Sequence, residues 1–182
     1  MELKKFKLTY DKDWEQNWLN EMCQKGWGFT KFFAGVYTFE PCEPGEYIYQ
    51  VDLLPGSGFT ANDPEGYTEF MEDTGVEVVC RWFRWIILRK RAEDGPFEIY
   101  TDTDSKLASY KRIRTMLIFG LLLELACCSP TFIQLLSGRF DTSISVFLVF
   151  FAAMFLVILI GIAGGILKYT KVIQQLENSN NN

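Results

Sequence analysis

The sequence predicts an α+β cytosolic domain followed by a two-helix transmembrane hairpin, on three observations. The first is a pair of apolar runs near the C-terminus. Thr115 to Leu136 is 22 residues with Glu124 as its one ionisable group, and Ile144 to Leu167 is 24 residues with none. About 20 apolar residues cross a bilayer core, so each run is long enough. The second is the link between them, Ser137 to Ser143, which is too short to hold a domain and makes the pair a hairpin. The third is the switch, over the first ~110 residues, to short alternating segments punctuated by glycine and by helix caps; a stretch of that size supports a core of its own. The expected parts are a domain over 1–103, a helical stem over 104–114, spans over 115–136 and 144–167, and a cytosolic tail over 168–182, disordered at its end.

Within the domain, Lys4 to Tyr10 alternates apolar and polar residues as a half-buried strand does. Asp13 with Gln16 three residues later has the form of a capping box. The helix it opens carries an apolar stripe of Trp14, Trp18, Leu19, Met22 and Cys23 and stops at Gly26. Strands follow over Trp27 to Phe33 and Val36 to Phe39, with a turn at Pro41 to Gly45. A similar order then recurs. Tyr47 to Leu54 is a strand, Asp63-Pro64 caps a helix bearing Tyr67, Phe70 and Met71, and Gly75 ends it. Val76 to Arg89 reads as one long strand, and Ala92 to Pro96 as a hairpin turn into Phe97 to Tyr100. Aligning Gly26 with Gly75 pairs Met22 with Met71 and Phe29 with Val78, which predicts a duplicated β-α-β-β unit of about 50 residues. The expected product is an antiparallel sheet with two helices on one face.

The segment Cys80 to Leu88 is unusual because strand alternation leaves both faces apolar with one arginine each. Two readings are open. It is a central strand whose arginines pair at its ends, which is the commoner case, or Trp82, Arg84 and Trp85 present a partner-binding surface, since exposed Trp and Arg mark interface hot spots.

Orientation follows from the basic residues. Lys111, Arg112 and Arg114 precede the first span and Lys168 and Lys171 follow the second, while the link carries Arg139 balanced by Asp141. Such flanks stay on the cytoplasmic side, so both termini are expected inside. The N-terminal residues Met1 to Phe6 show no apolar signal-peptide core. From Asp104 through Leu107, Tyr110 and Ile113 the helical pattern runs unbroken into the first span, a rod of about 15 Å that is a passive stalk or a transmitter of motion. In the second span, Gly161 and Gly165 form G-x-x-x-G, and Gly120 lies at similar depth on the first, so these three are candidate packing positions, within the hairpin or across a homodimer. Glu124 lies about 14 Å into the bilayer, and the second span offers no polar side chain between Ser145 and Lys168. A carboxyl at that depth is neutral, paired or functional, which makes Glu124 a candidate intramembrane contact.

Residues 1–110 hold 12 Lys/Arg and 20 Asp/Glu, a net charge of −8, whereas 111–182 hold 6 and 3. An acidic domain lacks the electrostatic footprint for nucleic acid, and it keeps off anionic lipid everywhere but at the stem. The chain has no histidine, which removes the usual general base, the usual zinc ligand and the His-dependent nucleophile schemes. It has no P-loop and no strand-linked G-x-G-x-x-G; Pro55 to Gly58 is a connector, and Asp102-Thr103-Asp104 reads as a helix cap rather than a cation site. Five cysteines without C-x-x-C spacing read as reduced: Cys23, Cys42 and Cys80 in the core, Cys127 and Cys128 in the first span. No catalytic residue, metal or cofactor is therefore expected.

From Trp14 to Ile113 the chain resembles a family of small bacterial proteins that carry a domain of unknown function and are often encoded beside PadR-type transcriptional repressors. The matching stretches are Trp18 to Met22 with Gly26-Trp27, Tyr37 to Glu40, Cys42 to Tyr49, Arg89 to Tyr100 and Asp104 to Lys106. The resemblance implies a companion of a repressor at the bacterial cell membrane and supplies no catalytic residues. Three functions follow in order: a non-enzymatic interaction protein whose cytosolic domain binds a regulator in response to a membrane signal; an accessory or immunity protein of a transport or antimicrobial-resistance system, bound to a permease; and an enzyme built from Asp, Glu, Tyr or Cys.

Overall fold

The computed structural model describes residues 2–9, 11–54, 67–137 and 142–180. The chain divides into two compact units, one ending at Ser109 and one beginning at Tyr110.

The first unit opens with β1 (Leu3–Phe6) and α1 (Lys12–Gln24). The cap of α1 is Asp11, not Asp13: the Asp11 carboxylate accepts from the Trp14 amide at 3.1 Å. The helix thus starts earlier than the capping-box reading has it, and Asp13 becomes a first-turn residue favourable to the helix dipole. At the other end Gly26, at φ +81°, makes the left-handed exit and donates to the Cys23 carbonyl. Then come β2 (Trp27–Phe33) and β3 (Val36–Pro41), joined through Ala34 and Gly35, both at positive φ as a tight hairpin turn demands. Strands β1, β3 and β2 form one antiparallel sheet in that order.

The second half runs β4 (Tyr47–Leu53), α2 (Tyr67–Asp73), β5 (Glu77–Trp82) and β6 (Trp85–Arg91), with strand order β4-β6-β5. The expected Asp63-Pro64 cap and Pro55–Gly58 connector lie outside the described residues. Two expectations fail here. Val76 to Arg89 is a hairpin, with Trp82 paired to Trp85 across a turn at Phe83-Arg84, so there are two three-stranded sheets instead of one. Trp-Phe-Arg-Trp contains none of the residues that normally punctuate a turn, which is why it reads as continuous strand. Nor does Phe97 to Tyr100 extend the sheet. A single 3₁₀ turn over Ala92–Asp94 ends the hairpin direction, and the Phe97 carbonyl is taken by the Gln50 side chain at 2.9 Å.

Among the described residues of the first unit, two clusters form the core. Leu19, Met22 and Cys23 of α1 pack with Phe29, Tyr37 and Phe39 of the first sheet and with Tyr49, Val51 and Ile87 of the second. Met71 of α2 packs with Leu54, Val76, Ile86, Leu88 and Phe97. Alternation along β6 therefore sends Ile87 to one cluster and Ile86 and Leu88 to the other, so the helices cover opposite faces of the second sheet, not one shared face. A strand apolar on both faces is what burial from two sides requires. Tyr49 stitches the sheets together, its buried phenol oxygen accepting from the Phe29 amide at 2.8 Å.

The second unit consists of the remainder of α3 (Thr103–Ser137) and α4 (Thr142–Asn180). Asp102 caps α3 by accepting from the Ser105 amide at 2.7 Å, the cap reading of that acidic triplet. Both helices pass the length and apolarity needed to cross a membrane. The tail, expected to be disordered at its end, is helical to Asn180, and the last two residues lie outside the described ones. Its turns are held in place because Tyr169 and Ile173 are buried, the Tyr169 ring lies tilted against Tyr110 at 5.9 Å, and Lys111 pairs with Glu177 at 2.7 Å.

Candidate functional site

The most concentrated chemistry of the first unit is a buried polar cluster at the base of α3. Lys12 enters from the first turn of α1, Asp52 from the end of β4, Tyr100 from the segment after β6, and Ser109 from the second turn of α3. Lys12 Nζ donates to Ser109 Oγ at 3.2 Å and lies 3.6 Å from Asp52 Oδ1. Ser109 Oγ donates to Asp52 Oδ1 at 2.6 Å and Tyr100 OH to Asp52 Oδ2 at 2.5 Å. Lys12, Asp52 and Ser109 are all buried. A lysine-assisted serine nucleophile needs a neutral amine to accept the hydroxyl proton, whereas Lys12 donates to Ser109 and Ser109 in turn donates to Asp52. Ser109 also has 0% of its surface exposed, so no substrate reaches it in this conformation. What the arrangement does physically is satisfy a buried charge pair while fastening four chain segments at the point where α3 leaves the domain.

A second titratable pair sits on α1 and β3. Tyr37 OH donates to Glu15 Oε1 at 2.6 Å. Burial pushes the Glu15 carboxyl up to about 7, against the opposing pull of the tyrosine hydroxyl. Tyr37 is itself raised, by burial first and then by the Glu15 charge. The thiols are poor nucleophile candidates: Cys23 and Cys42 approach to 3.9 Å without a disulfide, and burial and the neighbouring thiol push Cys42 up to about 12. A shallow cleft of about 370 Å³ beside Tyr47, Glu77, Arg89 and Arg91 gathers cations, but Glu77 holds Arg89 at 2.8 and 3.0 Å and Glu93 holds Arg91 at 2.9 Å. Among the described residues no cluster of His, Cys, Asp or Glu could hold a metal.

The structure separates the residues expected to form a partner surface. Arg84 is buried, and its Nε and Nη2 both donate to the Leu54 carbonyl, at 3.1 and 2.9 Å. It clamps the end of β4 onto the hairpin turn. Trp85 is half-buried against the first core cluster. Trp82 is half-buried and meets Phe32, Phe33 and Phe83 edge-on at 5.4–5.5 Å. Its neighbours Phe33 and Phe83 are exposed instead, and strand alternation does not disclose this because it puts Phe83 mid-strand.

In the second unit the glycine expectations divide. A β-carbon on Gly165 would meet Leu117 Cδ1 at 3.1 Å, so this glycine does sit in the α3–α4 seam. Gly120 faces open space and Gly161 is exposed. Glu124 is half-exposed on α3, yet neither carboxylate oxygen has surface of its own or a hydrogen-bond partner among the described residues.

The sequence profile of a family of proteins of unknown function, DUF2812, matches residues 11–122, more than half of the chain. The chain belongs to the DUF2812 family. Neither the comparison with curated proteins nor that with solved structures finds a match. The DUF2812 match begins at the cap of α1 and ends at Leu122, within the apolar run of α3. It encloses all four members of the Lys12–Asp52–Tyr100–Ser109 cluster and stops short of Glu124, Gly161 and Gly165. The unit shared with DUF2812 thus joins the α+β domain to the start of a long apolar helix.

Proposed function

We propose that this DUF2812 protein is a non-enzymatic interaction protein anchored in the bacterial cell membrane by α3 and α4, with both termini cytoplasmic. The observation that carries the reading is a long apolar helix rooted in the domain itself. Ser109 of α3 is hydrogen-bonded into the domain, and six residues later the apolar run begins. Large apolar side chains stay exposed on both helices, among them Leu122, Ile133, Phe147, Phe150, Val157 and Ile160, the surface that lipid would cover. A rooted helix gives a bilayer event a route into the domain. The domain would then bind or release a cytosolic regulator such as a PadR-type repressor, the companion that the resemblance implies.

The two halves support an origin by duplication. Strand orders β1-β3-β2 and β4-β6-β5 correspond, and Gly26 and Gly75 leave their helices at φ +81° and +77°. One observation favours a second reading, an accessory or immunity protein of a transport or antimicrobial-resistance system: the Glu124 carboxyl invites a contact with another membrane protein or a second copy of the chain. Recovery of the tagged chain from native membranes in mild detergent separates the two. A repressor in the eluate supports the first reading and a permease the second; the chain recovered alone, under conditions that retain known complexes, contradicts both.

A further inference from the structure

One end of the domain carries exposed apolar side chains that the core does not use. Phe6, at the end of β1, and Phe33, at the end of β2, pair with the same residue, Val36. Phe6 and Leu8 lean over Gly35, where a β-carbon would meet them at 2.9 and 3.0 Å. The rings of Phe33 and Phe83 both contact Trp82 at 5.4 Å, which brings the second hairpin tip beside the first. Phe6, Leu8, Phe33 and Phe83 are 67, 73, 64 and 67% exposed.

Phe83 is there against local preference. Its φ is +52° at the first position of a two-residue hairpin turn, a site that favours glycine. A bulky side chain in that region is strained, and such strain concentrates where a side chain has work to do. Among the described residues, cations gather here in an otherwise acidic domain: Lys5, Lys31 and Arg81 lie on the strands that end here and Lys7 just after β1, with Asp11, Asp13 and Glu15 as the acidic residues of the α1 start. Lys7 lies 3.6 Å over the Trp14 ring.

This is also the end from which the chain leaves the domain. Leu53 pairs with Trp85, next to the Phe83 turn, and the adjacent Asp52 accepts from Ser109. From Ser109 to Thr115, where the apolar run starts, is six helical residues, about 9 Å.

We infer that the tips bearing Phe6, Leu8, Phe33 and Phe83 insert into the anionic headgroup layer of the bilayer in which this chain is anchored, with the surrounding lysines and arginine on the phosphates. The inference rests on the anchored reading above. Aromatic and leucine side chains partition at the headgroup–acyl boundary, and cations beside them add attraction to anionic lipid. It also revises the expectation that an acidic domain touches lipid through its stem alone, because cations gather at this end among the described residues.

All five tryptophans lie between Trp14 and Trp85, so tryptophan emission reports the domain and not the spans. The test uses the full chain reconstituted in phosphatidylcholine vesicles with and without phosphatidylglycerol, with acyl chains plain or brominated close to the headgroup. Brominated lipid should lower the emission, more strongly with phosphatidylglycerol present. Phe83→Asn, which suits the positive φ and so spares the fold, should weaken that loss, and Leu8→Glu/Phe33→Glu/Phe83→Glu should remove it with circular dichroism unchanged. Equal emission in plain and brominated vesicles, or undiminished quenching in the triple variant, overturns the inference. Alkaline carbonate extraction of the same vesicles tests the anchor separately: a chain that resists extraction but shows no quenching is anchored without tip insertion. If such a chain also loses a co-purifying protein in the triple variant, the tips belong to a protein partner.

Discussion

Replacing Glu15 by Gln should make the domain more stable near pH 8 and remove part of its pH dependence. The carboxyl is half-buried beneath Tyr37 and titrates at about 7, against 4.5 for a free glutamate. Below pH 4.5 it is protonated in both folded and unfolded chains, and folding is unaffected. As pH rises from 4.5 towards 7 the unfolded chain releases the proton while the folded one holds it, so stability falls and the loss is complete above 7. A difference of about 2.5 units at 1.36 kcal/mol each sets a ceiling of about 3 kcal/mol, and solvent at the edge of the site lowers it to about 1–3 kcal/mol. Glutamine keeps an oxygen for the Tyr37 hydroxyl and carries no charge. The assay is thermal unfolding of the full chain in detergent at pH 5 to 8, followed by near-ultraviolet circular dichroism, whose tryptophan signal arises in the domain. The midpoint of the unmodified chain relative to Glu15→Gln should fall as pH rises. Parallel pH profiles, or an advantage for the unmodified chain at pH 8, would refute the reasoning.

Three further outcomes follow from the geometry. Asp52→Ala leaves Lys12 buried without its carboxylate and should cost about 3–5 kcal/mol in the same melt, whereas the paired change Lys12→Met/Asp52→Leu should cost clearly less. Gly35→Ala forces a side chain onto a residue at φ +84° and pushes on Phe6 and Leu8, a cost of about 1–2 kcal/mol by chemical denaturation, relieved in part by Gly35→Asn. If Glu124 serves a charged contact, Glu124→Gln and Glu124→Leu should both lower partner recovery from membranes; if it serves a neutral hydrogen bond, the leucine alone should do so.

The residues differ in how much of this they disclosed. The two apolar runs, the stripe of α1 and the stops at Gly26 and Gly75 were legible because each depends on local spacing. The length of α4 was not, since what holds its later turns is Tyr110 and Lys111, some sixty residues away in sequence. The Phe83-Arg84 turn was hidden because Phe83 takes a backbone conformation that its side chain disfavours. Arg84 was open to two readings, an arginine of a core strand or a surface hot spot, because its acceptor, the Leu54 carbonyl, lies 30 residues away in sequence. The Lys12–Asp52–Tyr100–Ser109 cluster left one sequence signal, an aspartate inside the apolar strand Tyr47 to Leu54. Its partners come from three other segments, and no periodicity brings those together.

The central claim is a domain held at the cytoplasmic face by an inside–inside hairpin, and a membrane-impermeant maleimide applied to intact cells tests it most directly. Relative to the unmodified chain, Ser137→Cys between the helices should gain label from outside, and Ser105→Cys at the base of α3 should gain it only after the cells are opened. Labelling of Ser105→Cys in intact cells with Ser137→Cys protected would contradict the account.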